Sequence, residues 1–504
     1  MAPLRPRVRF QSYVFAFGVI AVFLILAHGP LLRLPFFWDE AGQFVPASLD
    51  IYRSGAWIPV STVPNVHPPG VMACLAAVWT VFGYSIESTR ITMLLIASFG
   101  VLFSFLLAIE LARGSPGSPA FLALALLCLN PLFFAQSMLA QLDMPAMVLS
   151  VLALLLFLQN RTRACAFACA GLVLTKETGL IAPALFVAWL LYERRGKEAV
   201  WFVSSPALLI IWLVVLHRYT GHWFGNSAFT SYNLPDPKDP ARILLALLRR
   251  VYYLFIGSGH FIGTAALIWA WKRMPLLRSR PWRIAASFVV AQILVMSLLG
   301  GAVLERYLLP ALPVVYAGFA VAMQAVKGRE RRLAFAGMAI CLIVANFVNP
   351  VYPFPLENNL AFVDFVRLEQ DAAAAVHNGS VASVFPLTDA LRNPDLGFVE
   401  RAQQVTEIAD FSPHEIAKLR ANPPEQLVVW NRDWDPLGLL THKALRDFAA
   451  RHYGYVPEMS GDEIAGELSM QVVGRWKRHG FSMQFLKAAK KPLAASSRPA
   501  RHRG

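Results

Sequence analysis

The sequence predicts a polytopic α-helical membrane protein of about eleven transmembrane helices, followed by a carboxyl-terminal soluble α/β domain. The 504 residues are 56% hydrophobic and only 15% charged, whereas soluble domains carry about 25% charged residues. Long apolar runs recur from Val14 to Val348, and most of them are long enough to cross the ~30 Å hydrocarbon core of a bilayer. From Pro350 onward the apolar runs are short and charges of both signs are frequent.

The first apolar run follows Arg5, Arg7 and Arg9, as the apolar part of a signal peptide would. No small-residue cleavage site follows this run, and the polar sequence WDE comes next, at 38–40. We therefore expect the run to be retained as the first span.

Clusters of basic residues between the apolar runs indicate which side each loop is on, because cytoplasmic loops of membrane proteins are rich in Lys and Arg. These clusters occur at 5–9, 113, 161–163, 194–197, 272–283 and 327–332. If all of them are cytoplasmic, spans must come in pairs between them. Three apolar runs separate the first two clusters, so one of the three must not cross. The shortest, 68–83, is predicted to lie along the outer interface.

The run 164–191 is interrupted by the polar sequence TKET at 175–178, and we expect two short spans that meet there at an outer turn. The other predicted spans are 12–32, 90–112, 119–138, 144–159, 199–216, 250–271, 284–303, 306–325 and 333–348. The amino terminus is then cytoplasmic and the region after Asn349 is outside. Arg249 and Arg250 agree less well with this scheme, because they fall at an outer boundary.

The net charge of +15 resides mainly in these loop clusters, so we predict no nucleic-acid partner. We predict three segments: a transmembrane domain at 1–349, a non-cytoplasmic α/β domain at 350–488 and a basic disordered tail at 489–504. The tail is interpreted as a solvated end, with contact to anionic membrane lipids as the alternative. All five cysteines lie in or beside apolar segments, and we expect no metal or disulfide role for them.

In the carboxyl-terminal region, short apolar runs at 381–385 and 426–430 are typical of strands. The runs 362–376 and 442–451 are typical of amphipathic helices. The polar cluster at 431–435 is predicted to be a turn rather than a ligand site. The region has no cysteine, so it uses no disulfide.

Two adjacent carboxylates, Asp39 and Glu40, follow the first span at the predicted outer surface. Carboxylates at a membrane interface are costly unless they are solvated or functional. They head a segment, 41–55, that is predicted to be a helix along the interface. A base held at this depth would take a proton from an acceptor hydroxyl. The alternative is that the pair only marks the end of the span.

Other polar residues recur at the same predicted level. His67 precedes two prolines that fix a helix start, and Asp143 precedes Pro145 at the entry to a span, which is itself a helix-start signal. Lys176 and Glu177 interrupt an apolar stretch and could form a solvated turn.

Arg306 and Tyr307 precede a late span, and their alternative role is that of an interfacial anchor. A guanidinium suits bidentate contact with a phosphate. Carboxylates together with phosphate-binding cations suit group transfer from a phosphate leaving group. The sequence therefore predicts one outer-facing site around these residues.

The order of the motifs WDE, HPPG, LDMP, TKETG and ERYLLPALP, at 38–40, 67–70, 142–145, 175–179 and 305–313, resembles the GT-C glycosyltransferases. The likeness covers about residues 10–350. It is similar above all to bacterial relatives of the protein O-mannosyltransferases and of the aminoarabinose transferase that modifies lipid A. The motifs are specific to the superfamily and not to one substrate.

The resemblance implies an inverting hexosyl- or pentosyltransferase that uses a polyprenyl-phosphate sugar and a lipid, glycan or protein acceptor. It assigns the general base to Asp39, with Glu40 beside it. It places His67, Asp143, Lys176, Glu177, Arg306 and Tyr307 around the donor phosphate or the substrate. The aminoarabinose transferase has a lysine where His67 stands, and the luminal β-trefoil domain of the protein mannosyltransferases has no counterpart here, which lowers the odds of a protein acceptor.

We expect no cofactor, although a divalent cation held by the oxygen ligands of Asp39 and Asp143 is left open. The expected location is the inner membrane, with the active site on the extracytoplasmic side. A transporter or flippase of lipid-linked sugar is the alternative from another class. It predicts charges near the bilayer midplane and paired broken helices in two halves. An enzyme similar to O-antigen ligases or polymerases would share the donor class.

Overall fold

The structure, a computed structural model, describes residues 10–227, 239–299, 304–348, 355–377, 379–432, 435 and 438–489. The basic cluster predicted at 5–9 and nearly all of the predicted basic tail lie outside these residues. The chain divides into two compact units, Met1–Val363 and Asp364–Gly504. The boundary predicted at residue 349 lies on the amino-terminal side of this division.

Helices build the first unit. Their bounds are α1 Phe10–Ala27, α2 Val45–Ser54, α3 Gly70–Phe82, α4 Ile86–Leu111, α5 Pro119–Leu129, α6 Pro131–Gln136, α7 Asp143–Leu158, α8 Thr162–Thr175, α9 Ile181–Tyr192, α10 Gly196–Ala199, α11 Ser204–Thr220, α12 Pro240–Phe255, α13 His260–Trp271, α14 Arg280–Leu299, α15 Leu312–Met323 and α16 Gly328–Ala345. A π-helical turn, Glu40–Phe44, precedes α2, and 3-10 turns occupy Glu177–Leu180, Gly257–Gly259, Glu305–Ala311 and Leu356–Asn358.

Within the described residues, five helical segments are long and apolar enough to cross a membrane, and a bent pair makes a sixth. The segments are Phe10–Ala27, Ile86–Leu111, Gly196–Thr220, Arg280–Leu299 and Glu305–Met323. Five further apolar helices are shorter, among them α7 and α8. The chain is thus a multi-pass helical membrane protein, and the number of eleven spans stays a prediction.

Three helical predictions can be compared with the structure. The run 68–83 forms α3, and the run 164–191 breaks after α8 at the predicted polar turn. The predicted span 250–271 is bent: it is covered by two helices, α12 and α13, that meet at 41° across Gly257–Gly259. At this break Ser258 and Gly259 have φ of +52° and +86°, which a continuous helix does not allow. The predicted outer loop 217–249 is shortened from both sides by α11 and α12.

The second unit holds a five-stranded sheet. Its strands are β1 Ser380–Ser383, β2 Gln404–Glu407, β3 Gln426–Arg432, β4 Met470–Arg478 and β5 Phe481–Ala488, in the order β2-β1-β3-β5-β4. β1 pairs in parallel with β2 and β3, whereas β5 pairs antiparallel with β3 and β4. The helices of the unit are α17 Ala361–Ala375, which begins in the first unit, α18 Leu387–Arg392, α19 Pro413–Leu419, α20 Lys443–Tyr453 and α21 Gly461–Glu467.

The apolar runs predicted to be strands at 381–385 and 426–430 correspond to β1 and β3. The helices predicted at 362–376 and 442–451 correspond to α17 and α20. The turn predicted at 431–435 is partly wrong, because β3 continues through Arg432 by pairing with β5. Asp435 does make a turn, since its carboxylate accepts hydrogen bonds from the backbone N–H groups of Leu439 and Leu440.

Candidate active site

Asp39 lies on a strained segment of backbone between α1 and α2. Trp38 has φ of +46°, which is unusual for a bulky residue, and the π-helical turn Glu40–Phe44 begins directly after Asp39. Positive φ at non-glycine residues and π-helical turns both occur preferentially at functional sites. The side chain of Asp39 keeps 18% exposure and accepts a charge-assisted hydrogen bond from Arg306 Nη2.

Glu40 points elsewhere. Its fully buried carboxylate accepts hydrogen bonds from Arg90 Nη1 and from the backbone N–H groups of Phe37 and Ala140. Arg90 also donates to the carbonyl of Pro35, at 3.0 Å, and to that of Met138, at 3.1 Å. Consecutive residues of a helical turn project in different directions, so Asp39 and Glu40 do not share an environment. These contacts place Glu40 in the packing of the loop and do not support the catalytic role predicted for it.

Arg306 is the centre of a buried charge cluster. It lies in the 3-10 turn Glu305–Ala311 and is about 95% buried. Besides Asp39, its Nη1 is 3.1 Å from Glu357 Oε1, and its Nε is 3.3 Å from Asp143 Oδ2. Nη1 also donates to Gln141 Oε1 at 2.9 Å. The guanidinium thus forms ion pairs with three carboxylates from separate parts of the sequence, those of Asp39, Asp143 and Glu357.

Lys176 completes this cluster from the other side of Asp143. Its Nζ is 2.6 Å from Asp143 Oδ1 and lies 4.1 Å from the centre of the Tyr307 ring. The backbone of Lys176 is extended, which ends α8 and turns the ammonium group toward the start of α7. Asp143 therefore bridges the two cations, and Tyr307 lies against Lys176 in a cation–π contact.

His67 and Glu177 form a second pair next to Lys176. His67 Nδ1 is 2.7 Å from Glu177 Oε2, and both side chains are largely buried. The glycine of the HPPG motif allows the two helices that carry this pair to approach closely. A Cβ at Gly70 would lie 2.4 Å from the backbone oxygen of Leu174. The start of α3 therefore packs directly on the last turn of α8, and no larger residue fits there.

Several residues of the cluster were not predicted from the sequence. Glu357 and Asn358 follow the last apolar run in a stretch with no recognisable motif, and only the fold brings them to Arg306 and Glu305. Gln141 gives no signal of its own beside Asp143. Arg249 and Arg250 did give a signal in the sequence, because basic residues were not expected at a predicted outer boundary.

The two arginines of α12 lie beside this cluster. Arg249 donates from Nε to Glu305 Oε1, and Asn358 Nδ2 donates to the other oxygen of Glu305 at 2.8 Å. Arg250 is 1% exposed, and its one hydrogen bond runs from Nη1 to the carbonyl of Ala246 at 3.3 Å. Its Nε and Nη2 have no hydrogen-bond partner among the described residues. A buried guanidinium with open donors suits an anion that enters from outside.

The arrangement combines carboxylates with cations that already neutralise much of their charge. Asp39, Asp143 and Glu357 face Arg306 and Lys176. In the part of the chain that the structure describes, no group of three His, Cys, Asp or Glu side chains is arranged to hold a metal ion. The positive charges beside these carboxylates belong to the side chains of Lys176 and Arg306. They can bind an anionic group beside a carboxylate that is within reach of solvent.

Comparison with known proteins adds the fold. No family model matches the sequence, and no curated protein is similar to it. The structure is similar to ArnT, the lipid A aminoarabinose transferase, from Cupriavidus metallidurans bound to undecaprenyl phosphate. The TM-score is 0.55 and the identity 15%, over 95% of this chain and 98% of that one.

The apo structure of the same ArnT gives a TM-score of 0.52 at 14% identity, over 94% of this chain and 98% of that one. The oligosaccharyltransferase from Archaeoglobus fulgidus, in complex with zinc and sulfate, gives 0.48 at 14% identity, over 87% of this chain and 70% of that one. The likeness to ArnT extends over nearly the whole length of both chains. The chain therefore has the fold of ArnT, which agrees with the resemblance carried by its motifs.

Proposed function

We propose that this protein transfers a sugar from a polyprenyl-phosphate donor to an acceptor on the extracytoplasmic face of the inner membrane. The observation that carries the proposal is the convergence of Asp39, Asp143, Lys176 and Arg306 from four separate segments. Charged side chains at membrane depth are energetically costly, and such residues usually have a function. The ArnT fold agrees with the proposal, since one of the two ArnT structures holds undecaprenyl phosphate.

The proposed reaction is a displacement at the anomeric carbon. Asp39 takes the proton of the acceptor nucleophile, whose lone pair forms the new glycosidic bond with inversion. The bond between the anomeric carbon and the phosphate oxygen breaks, and its electron pair leaves with the polyprenyl phosphate. The leaving group is anionic and needs no proton, so the protein has to supply positive charge rather than an acid.

The partner of Asp39 explains how the base becomes available. The Asp39 oxygen that accepts the hydrogen bond from Arg306 is not free to take a proton. An incoming donor phosphate competes with Asp39 for Arg306 and uses the open donors of Arg250. When Arg306 turns to the phosphate, this oxygen is released to the acceptor nucleophile in the same step that places the donor. Lys176, held by Asp143, adds a second positive charge.

The other predicted residues have supporting roles in this proposal. The pair of His67 and Glu177 fixes the turn that carries Lys176, and Tyr307 packs against the Lys176 ammonium. Glu40, bound by Arg90, fixes the turn that carries Asp39. A divalent cation would have to displace Arg306 from Asp39 and Asp143, so the reaction as proposed proceeds without one. The acceptor, whether lipid-linked, glycan or protein, and the sugar are left to experiment.

The test is a donor panel. Purified protein in lipid is incubated with radiolabelled polyprenyl-phosphate sugars, using wild type and Asp39→Ala side by side. Consumption of one donor by wild type, lost in the variant, supports the transferase and names the sugar. If no donor is consumed but labelled lipid crosses a proteoliposome bilayer, a flippase replaces the transferase.

A further inference from the structure

A chain of hydrogen bonds runs through the helices of the first unit, away from the charge cluster. It joins Asn130 at the start of α6, Tyr316 on α15 and His260 at the start of α13, and ends at the backbone of Tyr253 on α12. All three side chains are fully buried. Polar groups inside an apolar helix bundle are costly unless each is paired, so a connected chain at this depth needs an explanation.

The contacts fix the direction of every hydrogen bond. His260 Nδ1 lies 2.8 Å from the carbonyl oxygen of Tyr253, which can only accept, so Nδ1 carries the hydrogen. The other ring nitrogen of a neutral imidazole is an acceptor. The Tyr316 hydroxyl, 2.7 Å away, therefore donates to Nε2, and it accepts from Asn130 Nδ2, also at 2.7 Å. Asn130 Oδ1 in turn accepts the N–H of Phe133 at 2.9 Å.

The chain crosses the break between α12 and α13. Tyr253 lies before the Gly257–Gly259 turn and His260 directly after it, so the imidazole ties the last turn of one helix to the first turn of the next. α13 itself is held close to α15, because a Cβ at Gly263 would lie 2.4 Å from Phe319 Cγ. The last turns of α12 are thereby tied, through α13, to α15, whose residues are all buried.

The same last turns of α12 carry the two arginines beside the charge cluster. Arg249 binds Glu305, and Arg250 presents its open donors. Both are within four residues of Tyr253, so any tilt of α12 about the break displaces both guanidinium groups. Displacement of these guanidinium groups would weaken their hydrogen bonds to a bound anion, because such bonds depend steeply on distance and angle.

We propose that Asn130, Tyr316 and His260 form a positioning chain that fixes the bend between α12 and α13 and so places Arg249 and Arg250 for the donor phosphate. The inference rests on the proposed function, because it assumes that a phosphate is what the arginines receive. In this proposal the three side chains act on the donor site only through the backbone of Tyr253, which His260 contacts.

Tyr316→Phe tests the chain, because it removes one hydroxyl and keeps the ring. The KM for the polyprenyl-phosphate donor should rise about fivefold or more, while kcat and the acceptor KM change by less than about twofold. His260→Phe should have the same effect, and the double variant should be no worse than the more affected single one, since residues in one network are not additive. Ser98→Ala is the matched control. It removes a fully buried hydroxyl that bonds only within α4, to Leu94 O at 2.7 Å, and should leave the donor KM unchanged.

Two further readouts separate this inference from the proposed function. Hydrogen exchange at the backbone amides of 250–256 should become faster in Tyr316→Phe than in wild type or Ser98→Ala. Binding of undecaprenyl phosphate alone should weaken in parallel with the donor KM. If wild type binds no undecaprenyl phosphate, the proposed function fails, and exchange alone decides whether the chain holds α12. Unchanged exchange, or a fall in kcat with an unchanged donor KM, overturns the positioning role.

Discussion

Arg306 contacts more carboxylates than its single positive charge can neutralise. Asp39, Asp143 and Glu357 all lie on the one guanidinium, and Lys176 compensates only Asp143. An additional anion, the donor phosphate, must therefore displace one of these carboxylates or bind to a further cation of the protein. Release of Asp39 meets the first requirement, and the open donors of Arg250 meet the second.

Replacing Glu357 with Gln tests this charge balance. The substitution keeps the shape of the side chain and removes one negative charge beside Arg306. The donor KM should fall by about threefold to tenfold, because the phosphate meets less repulsion. The value of kcat should also fall, because Arg306 then holds Asp39 more tightly. Steady-state kinetics with the identified donor measures both, and a rise in the donor KM would show that Glu357 binds substrate instead.

Arg250→Leu tests the open guanidinium. The donor KM should rise by about tenfold or more, corresponding to at least about 1.4 kcal/mol of lost binding. The melting temperature should stay the same or increase, because Arg250 has no carboxylate partner among the described residues and an apolar side chain in place of a buried charge is often neutral or stabilising. Arg242→Leu, two turns earlier on the same helix, is the control and should leave the donor KM unchanged. An unchanged donor KM in Arg250→Leu would remove this residue from the phosphate site.

Residues in motifs were predictable, and residues brought in by the fold alone were not. Asp143, Lys176 and Arg306 interrupt apolar runs, where a charge is conspicuous in the sequence, and the structure brings them together. Glu357 lies among other polar residues, where a charged residue does not stand out in the sequence as a candidate site residue. The contact of Glu40 with Arg90 was not predicted, because sequence adjacency to Asp39 does not show which way a side chain points along a turn.

At the scale of elements, the HPPG and TKETG motifs contact each other at the place where α3 meets α8. The start of α3 packs on the end of α8 with only a glycine between the two backbones, and the pair of His67 and Glu177 closes over it. The sequence predicted both helices and the break between α8 and α9, because apolar periodicity and interrupting charges are local signals. It did not predict the bend between α12 and α13, because that break lies at a short GSG sequence within a run that is apolar throughout.

Gly70→Ala tests that contact. The added methyl would lie 2.4 Å from the Leu174 oxygen, so the start of α3 must move away from α8. Overpacking of this kind costs about 1–3 kcal/mol, and we expect a lower melting temperature with reduced activity. Gly171→Ala, on α8 itself, is the control. Its methyl would meet Leu149 at an ordinary 3.7 Å, and the melting temperature should not fall. Equal melting temperatures for wild type and Gly70→Ala would contradict the close approach.

At the scale of the molecule, the basic clusters between the apolar runs and the charge cluster around Arg306 have different physical origins. The clusters between apolar runs are predicted to lie in cytoplasmic loops, whereas the charges around Arg306 are buried and paired. Apolar composition and loop charges predicted the multi-pass helical fold. The sheet order β2-β1-β3-β5-β4 of the second unit depends on long-range strand pairing, which short apolar runs do not specify.

Removal of divalent cations tests whether the protein itself supplies the positive charge. Lys176, Arg306 and Arg250 suffice in the proposed reaction, so dialysis against EDTA should leave kcat within about twofold of the untreated enzyme. The assay uses the donor identified in the panel, with added magnesium, manganese and calcium as separate controls. A loss of activity that one of these ions restores would show that Asp39 and Asp143 hold a metal during turnover.

The most direct test of the account compares kcat and donor binding in wild type and Asp39→Asn. The amide keeps the size of the carboxylate and removes the base. We expect kcat to fall by about a hundredfold to ten-thousandfold. The Kd for undecaprenyl phosphate should stay within about threefold of wild type or decrease, because Arg306 loses a competing anion. Retained turnover, or loss of lipid phosphate binding without loss of kcat, would contradict a base at Asp39 released by the donor.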